Sequence, residues 1–177
     1  MNTPSLPRVL RGNVLWGVVA LTAVVVVALF LLMRNDERRI RRAFREAVQV
    51  LEKNGPENPI VAARRAERAT EILTDDPSIE LFEMHGRFTS RSEARSSVFH
   101  ARASAEQLSV RLHDVSVAVD DSRQQAVLTG TAVVRGRSVH DRSGGREVVE
   151  FATEWIKTTD GWRMAVVRGV EAIRVIQ

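Results

Sequence analysis

Acid–base chemistry has few places to start in this chain. It holds four histidines and neither cysteine nor tyrosine. Thiolate nucleophiles, Cys-based zinc sites, disulfides and phenolic acids are therefore excluded. A general acid–base pair would have to come from imidazoles and carboxylates, and the candidates are Asp75, Asp76, His85, His100 and His113. None falls in a spacing that dictates chemistry. Asp75 and Asp76 precede Pro77, as turn acids do. His85 adjoins Gly86 in a connection, and His100 lies inside a helical segment. His113 sits where a β-bulge is expected, and bulges re-aim side chains into sites. His140-Asp141 belongs to a polar loop with Ser143-Gly144-Gly145, a poor setting for a metal. No H-E-x-x-H, phosphate loop, G-x-S-x-G or dinucleotide fingerprint occurs. No catalytic residue, metal ligand or cofactor is assigned on these grounds. Were a cavity catalytic, His113, His100 and Asp76 would be the residues to examine.

A second group lies near the end of the chain. Glu150, Glu154 and Arg168 stand among Val148, Phe151, Trp155, Met164 and Val166. They would either line a cavity as its polar floor, with Trp155 beside them, or alternate outward to solvent on an antiparallel sheet. Trp155 and Trp162 read more simply as core or sheet-packing residues than as ligand platforms.

The elements that would position these residues follow a run of a different kind. Val14 to Met33 (VLWGVVALTAVVVVALFLLM) carries no charge and no proline. As a helix rising ~1.5 Å per residue it would be ~30 Å long, the hydrocarbon thickness of a bilayer. The expectation is a single span, an uncleaved signal-anchor in a bacterial inner membrane, because RNDERR follows it rather than a small-residue cleavage site. The organisation expected is a tail over 1–13, the span over 14–33, a short connection over 34–36 and one domain over 37–177.

Charge supports that division. The net charge is +4, yet residues 34–53 hold seven basic and four acidic side chains, while residues 54–177 hold 17 basic and 18 acidic. A nucleic-acid binder would carry its excess on the folded domain. Here the excess adjoins the apolar run and fits a juxtamembrane patch. A strict arginine count puts the domain in the cytoplasm. Arg8 and Arg11, with helical pairing of Glu37 with Arg41 and of Arg42 with Glu46, argue for export, the reading adopted.

Within the domain, Ile40, Phe44, Ala47, Val48 and Leu51 recur at helical spacing over Asp36–Lys53. Asn58-Pro59 starts a second helix, to Leu73. Ile79–Met84 reads as a short strand. Ser90 and Glu93 form a capping box for a third helix, to about Gln107. Leu108, Val110 and Leu112 then alternate, as do Val115, Val117 and Val119, with opposite parity; a bulge near His113-Asp114 reconciles the two sets. Strands follow over Gln125–Val134 and Arg146–Lys157, and Thr159-Asp160-Gly161 turns into a last strand over Trp162–Arg174. The fold class is α+β, three helices on a curved antiparallel sheet.

That order, with the ending EFATEWIKTTDGWRMAVVRGVEAI, resembles the nuclear transport factor 2-like (cystatin-like) superfamily. The residues that carry the likeness are Trp155, Asp160, Gly161 and Trp162. It implies a cone-shaped cavity between sheet and helices over roughly Glu37–Arg174. The ketosteroid isomerase branch uses a tyrosine that has no counterpart here. The polyketide-cyclase-like branch uses Asp and His, which would draw on the candidates above. The superfamily holds enzymes and binding modules alike, so the fold does not choose. The expected partners are the lipid bilayer and either a protein or an apolar ligand, with no nucleic acid; a homodimer is allowed. The function expected is a membrane-tethered, non-enzymatic binding or assembly module, the alternative being an anchored cyclase, isomerase or dehydratase.

Overall fold

Two packing devices shape the domain: capped helix ends, and one long meander whose strands change face at a bulge. In a computed structural model, residues 35–80, 87–139 and 144–176 are described, with side chains to residue 169. The chain divides into two units, Met1–Asp36 and Glu37–Gln177. The expected span over 14–33 lies outside the described residues. Among the described residues no helix is long and apolar enough to cross a membrane.

Helix α1 is described from residue 35 to residue 51, so 35 and 36 are already helical rather than a connection. Helix α2 is Pro59–Thr70, where Asn58 Oδ1 accepts the Ile60 amide at 2.9 Å and Pro59 fills the first turn. Helix α3 is Arg91–Ser104. Ser90 Oγ accepts the Glu93 amide at 3.2 Å, while Glu93 Oε2 reaches back to the Thr89 amide at 2.9 Å, one residue earlier than a capping box requires.

The strands are β1 (Lys53–Asn54), β2 (Leu73–Glu80), β3 (Arg87–Phe88), β4 (Ala105–Val119), β5 (Gln125–Ser138), β6 (Gly144–Thr158) and β7 (Gly161–Ile176). They form one seven-stranded sheet in the order β1-β4-β5-β6-β7-β2-β3. The α+β class holds, but the sheet is not purely antiparallel. β2 runs parallel to β7, pairing Ser78 with Val166 and Glu80 with Arg168. Asp75 and Asp76 do not make a turn; they lie inside β2, at a shift of register between Leu73 and Ser78. Proline lacks an amide donor, and Pro77 sits within that irregular stretch, where no ladder bond is forfeited. The second and third helices end at Thr70 and Ser104, short of Leu73 and Gln107. Helical periodicity blurs there because the next strand's first apolar residues continue it. β5 and β6 also run further than expected, to Ser138 and from Gly144.

The bulge in β4 is where the two parities require it. The register with β5 shifts between His113 and Ser116, and Asp114 adopts φ 52°. Leu112, Val115 and Val117 all reach the core as a result. Gly130 faces the bulge across β5. A Cβ there would stand 3.1 Å from Phe151 Cζ and 3.2 Å from His113 O, so a side chain at this position would push the ring or the bulge back by a few tenths of an ångström.

The core joins Ile40 and Phe44 of α1 to Leu73, Ile79, Leu128, Phe151, Trp155 and Met164 of the sheet. At the β4–β5 turn, Asp120 Oδ1 accepts the Gln124 and Gln125 amides at 3.0 and 2.9 Å, and Oδ2 accepts the Ser122 hydroxyl. These bonds, the Ser122 hydroxyl first, hold the exposed Asp120 carboxyl below its ordinary 3.8. A carboxyl lowered in the folded state stabilises above its unfolded value, and that contribution is lost as pH falls through the folded value. Carboxyl NMR titration should place the Asp120 midpoint below 3.8, and Ser122→Ala should move it back towards 3.8.

Candidate functional site

The place to look for chemistry is the concave side of the sheet, and among the described residues its centre is packed as core. Phe44 of α1 stacks on Phe151 of β6 with ring centroids 5.3 Å apart. Trp155 and Leu128 beside them are both 0% exposed. The polar atoms in this layer are consumed internally: Trp155 Nε1 donates to Thr153 Oγ1 at 2.9 Å, and Thr153 donates to Leu128 O at 3.2 Å. Neither of these two donors is left over for a ligand.

None of the candidates among the described residues converges on this interior. His100 and His113 are exposed, as are Asp75 and Asp76. Asp75 pairs with Arg91 at 3.1 Å, and the Asp75 side chain is 90% exposed. His85 and the His140-Asp141 pair lie outside the described residues. Among the described residues, no group of three His, Cys, Asp or Glu could hold a metal ion.

The late-strand group is divided by strand alternation. Trp155 turns into the core, while its neighbour Glu154 turns to the other face and meets Arg168 at 2.8 Å. That pair is roughly half exposed (side chains 45% and 56%), a setting in which an ion pair contributes about 0–1 kcal/mol. Glu150 is exposed between Thr131 and Glu171. Trp162 lies partly buried against the core edge, with Lys157 Nζ 5.4 Å from its ring centroid.

Buried charge occurs elsewhere, where α1 ends. Arg102 of α3 is 0% exposed. Its Nη1 donates to the carbonyls of Val50 and Leu51 at 2.8 and 2.7 Å, with Glu52 O at 3.3 Å. Those are the last carbonyls of α1, which no amide of the helix can satisfy and where its dipole is negative. Nε and Nη2 go to Glu57, at 3.1, 2.9 and 2.8 Å. Lys53 returns the favour to α3, donating to the carbonyls of Arg102 and Ala105 at 2.7 and 2.6 Å. Arg65 adds a contact to Glu57 at 3.1 Å. A cleft of about 450 Å³ lies over the group, lined by Lys53, Gly55, Glu57, Val61 and Arg65 among others.

Donor counting decides what this cluster can do. A guanidinium has five N–H groups in a fixed fork. Two face the α1 carbonyls and three face Glu57, so Arg102 has none to offer an anion. It ties two helix ends together and neutralises itself on a carboxylate. The reading of the sequence passed over it. One signal was available: Ala94, Val98 and Arg102 fall at i, i+4 and i+8, so a cation occupies a position that helical periodicity assigns to the core.

With this geometry in hand, the chain can be set beside known proteins. The SnoaL-like domain matches residues 58–168. Among solved structures, a nuclear transport factor 2-like protein with a cystatin-like fold from Novosphingobium aromaticivorans aligns at TM-score 0.58 and 18% identity, covering 84% of this chain and 88% of its own. A hexachlorocyclohexane dehydrochlorinase from Novosphingobium barchaimii aligns at 0.56 and 14%, covering 78% and 92%. A protein from Xanthomonas campestris, provisionally named a calcium/calmodulin-dependent protein kinase II association domain, aligns at 0.58 and 11%, covering 75% and 84%. Identities this low speak for the fold alone. No sequence among curated proteins matches the chain.

Removing Arg102 should be costly because it strands Glu57 and the α1 carbonyls together. Arg102→Ala is expected to lose about 3–5 kcal/mol of stability in urea unfolding, the range for breaking a buried pair from one side. Glu154→Ala on the half-exposed pair should lose about 1 kcal/mol or less.

Proposed function

The chain belongs to the SnoaL-like domain family, and on that footing we propose that it is a non-catalytic member, a binding and assembly module tethered to a membrane. One observation carries the reading. Phe44, Phe151, Leu128 and Trp155 pack together as core on the face of the sheet that α1 covers, and no pair of titratable groups converges on them among the described residues. Catalysis of the general acid–base kind needs a base within about 3 Å of the proton it takes, in a site that admits the substrate. A packed layer with its polar atoms paired offers neither.

The tether rests on the sequence. Val14–Met33 is long and apolar enough for a single-pass signal-anchor in a bacterial inner membrane, and the arginines follow it directly. The domain is read as lying on the exported side, at the membrane surface, where a protein partner or an apolar ligand would meet it.

A second reading is favoured by the relatives. The dehydrochlorinase named above has this fold, so an anchored enzyme of the lyase kind has a precedent in architecture. Its chemistry would have to draw on His113, His100 or Asp76, which are exposed, or on His85, outside the described residues.

The two readings separate in cells. In a strain lacking the protein, His113→Ala, His100→Ala and Asp76→Ala chains at normal abundance should each restore the phenotype fully, and so should His85→Ala. Loss of function in any one of them, with the protein still folded, would overturn the non-catalytic reading. For the tether, carbonate-washed membranes should retain the chain, and a periplasm-active reporter fused after Gln177 should be active. Release by carbonate would remove the anchor, and a silent reporter would reverse the orientation.

A further inference from the structure

Helix α1 has a second face that the fold leaves unused. At 3.6 residues per turn, about 100° per residue, Ile40, Phe44 and Ala47 fall within about 60° of one another, and these are the buried apolar residues of the helix. Arg38, Arg41, Arg42 and Arg45 stand at i, i+3, i+4 and i+7, a single stripe centred about 140° from that face. Burial of the apolar face therefore fixes the roll of the helix and leaves Arg38, Arg42 and Arg45 exposed, with Arg41 half-buried at the edge of the stripe.

The stripe is not neutralised. The pairs expected at i,i+4, Glu37 with Arg41 and Arg42 with Glu46, do not form ion pairs, and none of the four arginines makes one with any described residue. Arg41 Nε is buried and has no hydrogen-bond acceptor among the described residues. A groove of about 400 Å³ runs along the face, lined by these arginines with Gln49 and a single acid, Glu46. Four aligned guanidinium groups repel one another, and an unsatisfied buried donor costs free energy, so the arrangement is completed by an anion supplied from outside. Planar guanidinium forks match phosphate oxygens in particular.

We infer that this stripe seats on the headgroups of anionic phospholipids and fixes how the domain stands on the bilayer. The inference rests on the tether proposed above. Charge complementarity and chain length select this occupant over an acidic protein. Four residues separate Met33 from Arg38, at most about 17 Å of chain, so the first arginine cannot leave the interfacial zone. The domain beyond residue 53 carries no comparable excess.

The absence of cysteine makes the test clean. A nitroxide on Gln49→Cys, in the groove, reports collisions with a nickel-chelating lipid when the full chain is reconstituted in vesicles. Vesicles of phosphatidylcholine alone are compared with vesicles containing phosphatidylglycerol. Collision should rise several-fold with phosphatidylglycerol and fall back in high salt, where screening shortens the reach of the charge. Each arginine replaced by glutamine should cut the headgroup-bound population by about fivefold, with the helical signal in circular dichroism unchanged. If the chain floats with both kinds of vesicle while the nitroxide meets lipid equally in each, the stripe is not a headgroup site and the tether stands. If it floats only with phosphatidylglycerol and salt releases it, the stripe holds and the tether fails. If it floats with neither, both are overturned.

Discussion

The side chain that organises this domain is the guanidinium of Arg102. It reaches from α3 to the open carbonyls at the end of α1 and is balanced by Glu57, while Lys53 performs the same service for α3. Two helices that run to the same edge are locked end to end. A buried ion pair is not in itself a source of stability, since the desolvation of both charges offsets much of their attraction. Its effect here is directional. Three carbonyls and one carboxylate accept only one placement of the guanidinium, so the end of α1 has one position over the sheet.

Everything else on α1 follows from that placement. With its end held, the helix lays Ile40, Phe44 and Ala47 into the concavity of the sheet, where Phe44 finds Phe151. An aromatic stack adds about 0.5–1.5 kcal/mol to the burial of the two rings, a modest amount beside the cost of misplacing the whole face. The same roll that packs Phe44 on the sheet leaves Arg38, Arg42 and Arg45 exposed, with Arg41 half-buried beside them. A filled interior and a charged exterior are two consequences of one fixed helix. The element that packs Phe44 against the sheet is thus the one that carries the arginine stripe.

Much of this was legible before any coordinates. Asn58 and Ser90 announce their helices because a side-chain acceptor just ahead of a helical pattern has few other uses. The bulge at His113-Asp114 was forced by two apolar sets of opposite parity on one strand. The ending through Trp155, Gly161 and Trp162 carried the family. Other features had no local sign. The parallel pairing of β2 with β7 joins segments some ninety residues apart, and nothing in either states its partner. Asp75-Asp76-Pro77 has the composition of a turn, yet it is absorbed as an irregularity in a strand because β7 supplies a neighbour. Arg102, by contrast, stands at a core position of the helical period, a sign of burial that does not name its partners. Its burial depends on where α1 ends, a tertiary fact. Asp75, Asp76, His100 and His113 are exposed at separate places for the same reason, since each has a position in sequence but no shared face.

The account turns on whether the cone is closed around Trp155. The full chain has three tryptophans, so Trp16→Phe with Trp162→Phe leaves Trp155 as sole reporter. Acrylamide quenching of that variant is the direct measurement. Emission at short wavelength, with almost no quenching and no response to small apolar molecules, is the predicted result. A red-shifted, readily quenched Trp155 would mean a hydrated cavity, and would contradict the account at its centre.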